Sequence, residues 1–277
     1  MLMKFIVLVK REFELQWKTA LLSGVVCLGS MFLLLIVTNP DDLGKGPFDS
    51  FANALPIAFA IACAGILIGL VLTMNLMCKD YNMIHRELRM GIHSTIIVLS
   101  KTLFVLIVCA ILSLILVGPY LINMYEEYEL KLNKPLLFLS VFATMSTSSV
   151  LGLFVSTVVK DSSQKAAIAL PFIILFQILF SDFVFNGVLD KLRDCNHKSY
   201  ISWISISNYS IRAICMALGF YETDNINAGM GRHGELDVFA NTKENIFSIF
   251  FILIIMFLLA TVATIIFLYC VDKRKIS

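Results

Sequence analysis

Charge is what this chain has least of. Of its 277 residues only 15% are Asp, Glu, Lys or Arg, while 58% are hydrophobic and the mean hydropathy is +0.85. Soluble domains carry about a quarter charged residues, so an aqueous fold is excluded. A phosphate-binding G-x-x-x-x-G-K-[ST] loop is also absent, since "GKGPF" at 44–48 lacks the spacing. This chain therefore does not bind and hydrolyse ATP by that route. Neither H-E-x-x-H nor a Ser/His/Asp arrangement is found, which argues against intramembrane hydrolysis. Ionisable side chains are missing from the apolar runs except Asp182, near the end of one run. Ion-coupled carriers place carboxylates or broken helices at mid-membrane, so a stand-alone secondary carrier or membrane sensor is disfavoured. The seven cysteines form no disulfide framework. Cys27, Cys63, Cys78, Cys109 and Cys270 lie in or beside apolar runs, where Cys acts as a small hydrophobe. Cys195 and Cys215 are the two outside them; a bridge between them is one reading, and burial of Cys215 in "IRAICMALGF" is the other. "CNH" at 195–197 offers two ligands, short of a metal site.

What is present is apolar length. A bilayer core needs about 20 consecutive apolar residues per helix. Six runs meet this requirement: 20–37, 54–78, 102–122, 135–159, 166–186 and 246–270. Each spanning segment must satisfy its own backbone hydrogen bonds, so the expected fold is an all-α membrane protein with six transmembrane helices. Internal repeats are not evident. Residues 1–19 read as an interfacial helix rather than a cleaved signal, because "LLLIVTNPDD" offers no small-x-small site. At 100° per residue, Lys4, Lys10, Arg11, Glu14 and Lys18 fall on one side, and Phe5, Val9, Phe13 and Trp17 on the other. Thirteen of the 22 Lys and Arg residues lie in 1–19, 79–101, 160–165 and 271–277. The positive-inside rule then places both termini in the cytoplasm of a multi-pass protein of the cell membrane.

Between the second and third runs stands "KDYNMIHRELRMGIHST", residues 79–95. On a helical wheel Tyr81, Ile84, Leu88 and Ile92 make an apolar stripe suited to packing beneath the membrane domain. Asn82, Arg86, Arg89 and His93 make a basic stripe, with Met83, Glu87 and Met90 around it. A helix with one face anchored and the other offering charge and flexible Met is suited to docking on a soluble partner. The alternative is a juxtamembrane helix lying on lipid headgroups.

These stretches carry a family resemblance. "HRELRMGIHSTIIVLSKTLFVLIV" resembles the R-E-x-x-x-G segment and following "SK" of ATP-binding-cassette exporter permeases. "LGLFVSTVVKDSSQKAAIALPFIILFQILFSD" is similar to their fourth span, short loop and fifth span. "WISISNYSIRAICMALGFYE" resembles their external re-entrant stretch. The likeness is greatest to the G subfamily (White and pleiotropic drug resistance) and to bacterial relatives fused to forkhead-associated domains. It implies one permease domain over 1–277. Residues 1–19 would be the connecting helix, and 79–95 would hold a coupling helix in contact with a nucleotide-binding subunit. Met83, Arg86, Glu87, Arg89 and Met90 would form that contact, with Lys160 and Asp161 of "KDSSQK" as a second one. ATP and Mg would belong to the partner subunit, and a second permease copy would complete the transporter. The implied function is outward transport of an amphiphilic peptide, lipid-like molecule or drug; the alternative is flipping or extraction of lipid. The family's Phe-Ser-Gly stands here as Phe180-Ser181-Asp182, a departure that implies an outer gate of different shape or charge.

In that family the second and fifth spans line the path. Here Phe172, Phe176 and Phe180 recur at i+4, with Gln177 beside them and Asn75 near the inner end of the second run. An aromatic stripe facing lipid is the competing reading; a lone amide avoids acyl chains and favours the inward one. Residues 187–245 are too long for a simple connection. Their first part reads as short re-entrant helices buried in protein, and their second as a polar loop.

Overall fold

The computed structural model describes residues 2–37, 47–123, 133–159, 162–179, 204–217 and 243–276. Its described elements are all helical: α1 (Leu2–Val37), α2 (Pro47–Thr73), α3 (Leu76–Lys79), α4 (Tyr81–Arg89), α5 (Ser94–Asn123), α6 (Lys134–Val159), α7 (Ser163–Leu179), α8 (Ile206–Ala217) and α9 (Lys243–Ile276). Five stretches among the described residues are long and apolar enough to cross a membrane: Phe5–Leu34, Ala58–Lys79, Ser94–Gly118, Lys134–Val159 and Ile246–Cys270. Each overlaps one of the six expected runs, although the first begins 15 residues before the expected 20–37. The run expected at 166–186 is represented by α7, shorter at 17 residues and with Pro171 inside it.

The first element departs from expectation. Residues 1–19 and the first span do not form two helices with a joint near residue 19; α1 is a single helix of 36 residues. Leu8, Glu12, Gln16, Ser23, Cys27 and Leu34 are buried, whereas Phe13 and Trp17 are exposed. Phe13 and Trp17 of the apolar stripe thus point away from the bundle, which buries instead the stripe whose Glu12 and Gln16 find polar partners.

The centre of the bundle is α2 against α6, joined by α5 and α8, with α1 and α9 at the periphery. Only 17% of the most apolar stretch of α1 or α9 is buried, against 61% for α2 and 67% for α6. Van der Waals packing rather than water exclusion must hold helices together in lipid, so small residues at the interface matter. A Cβ on Gly69 would overlap the Ser148 hydroxyl and come within 2.7 Å of the Met145 carbonyl oxygen; one on Gly152 would overlap the Thr73 hydroxyl. The two helices touch backbone to backbone at these points.

Helix α6 is rich in hydroxyls, and they are buried. Ser140, Thr144, Thr147, Ser149 and Thr157 donate to the carbonyls four residues back, which satisfies them without water. Helix α8 is buried almost all round, and Thr144 Oγ1 reaches Ser210 Oγ at 2.9 Å. Its 12 residues extend only about 18 Å at 1.5 Å per residue, too short to cross a bilayer. A short buried helix thus stands inside 187–245. The loop read from its second part lies outside the described residues.

Candidate functional site

Helix α4 begins one residue after α3, at a corner centred on Asp80, and lies between two apolar helices. Ile84 is buried, and Leu88 and Ile92 pack against the main core. The opposite face is exposed and carries Asn82, Arg86, Arg89, Met90 and His93; Met83 is half-buried. The helix ends in a Schellman turn: the Ile92 amide donates to the Glu87 carbonyl at 3.1 Å and the Gly91 amide to the Leu88 carbonyl at 2.9 Å. Gly91 has φ +78°, which a residue with a Cβ adopts only under strain. The glycine of R-E-x-x-x-G is therefore the stop signal that sets the length of α4.

Glu87 is a correction to the expected contact set. It is 3% exposed and turned inward, where Arg11 of α1 donates to its Oε1. The guanidinium of Arg11 also donates to Glu12 Oε1 at 3.1 Å. Glu12 is fully buried, and its Oε2 accepts from the ammonium of Lys101, itself 0% exposed, at 2.9 Å. Lys101 continues to Asp80 Oδ2 at 2.5 Å, and that same oxygen accepts from Gln16 Nε2 at 2.9 Å. The result is a chain from Glu87 through Arg11, Glu12 and Lys101 to Asp80 and Gln16. It ties both ends of α4 to α1 and to the base of α5.

Desolvating each such ion costs several kcal/mol, offset here because each cation meets two carboxylate groups. Sequence reasoning assigned none of Arg11, Glu12, Gln16, Asp80 and Lys101 to a site. One signal was readable: Glu12 and Gln16 extend Leu8 at i+4 steps, on the stripe that later carries Ser23 and Cys27. Lys101 stood as the lone charge between "IIVLS" and "TLFVLIV", and was assigned to the loop.

Asn75 sits at a break between α2 and α3, and its Oδ1 is buried without a hydrogen-bond partner among the described residues. The amide groups of Met77 and Cys78 beyond the break donate to Ser156 Oγ of α6 at 3.1 and 3.2 Å. A hydroxyl from the neighbouring helix thus pins α3 to α6. Lys160 and Asp161 lie outside the described residues.

At the far end of the bundle Gln177 is a second correction. It was expected to face a transport path, but it is 3% exposed and holds the start of α8. Its Oε1 accepts from the Ile206 amide at 2.8 Å, and its carbonyl accepts from the hydroxyls of Ser205 and Ser207 at 3.1 and 2.6 Å. The amide does avoid acyl chains, but by capping a helix rather than by lining a slit. Phe172 and Phe176 are exposed, on a face of α7 shared with Ile168 and Leu175. Phe180 and Asp182 lie outside the described residues, as does Cys195; Cys215 is a buried free thiol in α8.

The arrangement is an exposed basic helix face, locked from behind by an ion chain, under a bundle of membrane-length helices. No curated protein matches the chain. The family description "ABC-2 type transporter" matches residues 3–218, a stretch that runs from the start of α1 to just past the end of α8. With that match covering well over half of its length, the chain belongs to the ABC-2 type transporter family, as a membrane permease subunit of the kind that associates with an ATP-binding subunit.

Proposed function

We propose that this permease works in an ATP-driven exporter that moves an amphiphilic cargo outward, and that α4 is its coupling helix. The observation that carries the reading is the two-sidedness of α4. Its inner face is anchored by Ile84 and Glu87, while Arg86, Arg89, Met90 and His93 are left in the open. Solvated charge on a helix with a locked back can transmit force from a protein that presses on it; a loosely held helix would absorb the motion. Met83, Arg86, Arg89 and Met90 form the contact, with Lys160 and Asp161 as a smaller one. Glu87 acts from behind by holding Arg11.

Six spans with both termini in the cytoplasm fit this reading, with α7 as the inner part of the fifth and residues 1–19 as the connecting portion of α1. So does kinship with the G subfamily. A second permease copy would meet this one across the exposed face of α7, where Phe172, Phe176 and Phe180 would border the cargo path and Asn75 its inner entrance.

The test is assembly. Arg86→Glu and Arg89→Glu should leave the permease folded and inserted, but should lower its recovery with the ATP-binding subunit. Charge-assisted contacts buried at an interface are worth about 2–5 kcal/mol when one partner is lost. Undiminished assembly and ATP hydrolysis in the double variant would remove the docking role from α4.

A further inference from the structure

Helix α7 is attached to the bundle at two places. Between 164 and 179 only Ala166 and Gln177 are buried. Ala166 packs its methyl group with Met74 and Cys78, beside the break between α2 and α3. Gln177 is held by hydrogen bonds instead. Its Oε1 accepts from the Ile206 amide at 2.8 Å, and its carbonyl accepts from the Ser207 hydroxyl at 2.6 Å. Ser205 Oγ stands 3.1 Å from the same carbonyl and 2.7 Å from Ser207 Oγ. The Gln177 carbonyl is among the last four of α7 and the Ile206 amide among the first four of α8, groups without a partner inside their own helix. Each helix end supplies what the other lacks.

The junction lies inside the bundle. The Ala217 carbonyl accepts from the Asn133 amide at 3.0 Å, next to the start of α6, and Ser210 Oγ meets Thr144 Oγ1 well along that helix. Helix α8 therefore runs antiparallel to α6, and Ile206, one turn before Ser210, lies deeper still. At such a depth unpaired backbone groups are costly, so the mutual capping is hard to give up. Helix α8 is itself fixed, being buried almost all round and bonded to α6 at these two points. Helix α7 by contrast leaves Ile168, Phe172, Leu175 and Phe176 exposed. Pro171, between its two attachments, has no amide to offer the Ala167 carbonyl, so one bond of the helical ladder is missing there.

We propose that Gln177, with Ser205 and Ser207, is a positioning residue that makes the end of α7 a fixed pivot. Helix α8 carries the anchorage of Gln177 into the core, and the exposed stretch of α7 before it turns about that point. Bonds from both the side chain and the main chain resist withdrawal and rotation together, which a single methyl contact at Ala166 does not. The missing ladder bond at Pro171 softens the stretch that has to bend. Phe172 and Phe176 then change their position against the bundle while Leu179 keeps its own. This rests on the reading of the exposed α7 face as a border of the cargo path.

The experiment uses the permease purified with its ATP-binding subunit, in lipid nanodiscs. Spin labels are placed by cysteine substitution in a cysteine-free background, at positions that are exposed: Leu179 with Val158, and Ile168 with Leu139. Labelled permease is diluted with unlabelled permease, so that each distance lies within one copy. Distances are measured without nucleotide and with ATP plus vanadate. The Ile168–Leu139 distance should shift with nucleotide, while the Leu179–Val158 distance should stay constant.

Two variants release the pivot by different routes. Gln177→Met keeps the side-chain length and removes the carboxamide acceptor; Ser205→Ala with Ser207→Ala removes both hydroxyls and leaves Gln177 in place. In each, the Leu179–Val158 distance should broaden and begin to shift with nucleotide. A structural role alone would lower thermal stability without freeing Leu179.

If Leu179 shifts against Val158 in the unmodified protein, Gln177 is no pivot, although α7 can still border the path. If Leu179 stays fixed in both variants, the junction is not what holds it. If neither distance responds to nucleotide, the reading of α7 as a moving border of the path fails, and the pivot with it.

Discussion

The two ends of the bundle are held together by different chemistry. Near α4 the helices are joined by ions: a half-buried Arg11 and a buried Lys101 meet Glu12, Asp80 and Glu87, which are buried or nearly so. Toward the centre and the far end, α2, α6 and α8 are joined by glycine contacts, serine and threonine hydroxyls, and the carboxamide of Gln177. Neutral hydroxyls satisfied by their own helix suit a region surrounded by hydrocarbon, where a charge is expensive. Ion pairs are costly to bury but strong in direction, so they suit a place where a helix must be held at a fixed angle. Ion pairs fix α4 at its corner, and small residues let α2 and α6 pack closely.

The largest effect should follow from breaking the charged end. Lys101→Met leaves Glu12 and Asp80 buried without their shared cation, and should cost about 3–5 kcal/mol. Denaturant unfolding of the purified subunit measures it, and a loss below 1 kcal/mol would mean that water reaches the cluster. The centre should be next. Gly69→Val puts a side chain against the Ser148 hydroxyl and the Met145 carbonyl, so α2 and α6 must part, at a cost of about 1–3 kcal/mol. Gly24, with open space around it, is the control, since Gly24→Val should not overpack.

At the far end, Gln177→Ala strips the Ile206 amide of its acceptor. A buried amide left unpaired costs about 1–3 kcal/mol, and protection of the first turn of α8 from hydrogen exchange should fall with it. An unchanged exchange pattern there would remove Gln177 from its capping role. The smallest stability effect is expected at Phe172, 68% exposed. Phe172→Ala should leave thermal stability in detergent nearly unchanged, yet alter the stimulation of ATP hydrolysis by cargo if it borders the path. A large stability loss would instead mark Phe172 as packed against a second copy.

How far the sequence could be read differs between the same two regions. The long apolar runs were legible because hydrocarbon imposes one requirement on every spanning residue, and composition records it. The basic face of α4 was legible because four polar residues at helical spacing cannot all be buried. Glu87 was misassigned for a related reason. A wheel gives the angle of a residue but not whether an Arg from 76 positions away stands opposite it. Gln177 was read correctly as an amide that avoids lipid, and wrongly as to what it meets instead, because its partner is the backbone of Ile206.

The sequence by itself determined that this chain is a helical membrane protein without an ATP-binding loop, and that one short charged helix interrupts its spans. Those properties follow from local quantities: apolar length, helical period and the presence or absence of a motif. Only the tertiary structure decided which charges face inward. The energy of a buried ion depends on the counter-ion within about 3–4 Å of it far more than on its neighbours in sequence. Glu12, Asp80 and Lys101 acquire their roles when α1, the Asp80 corner and α5 are brought side by side.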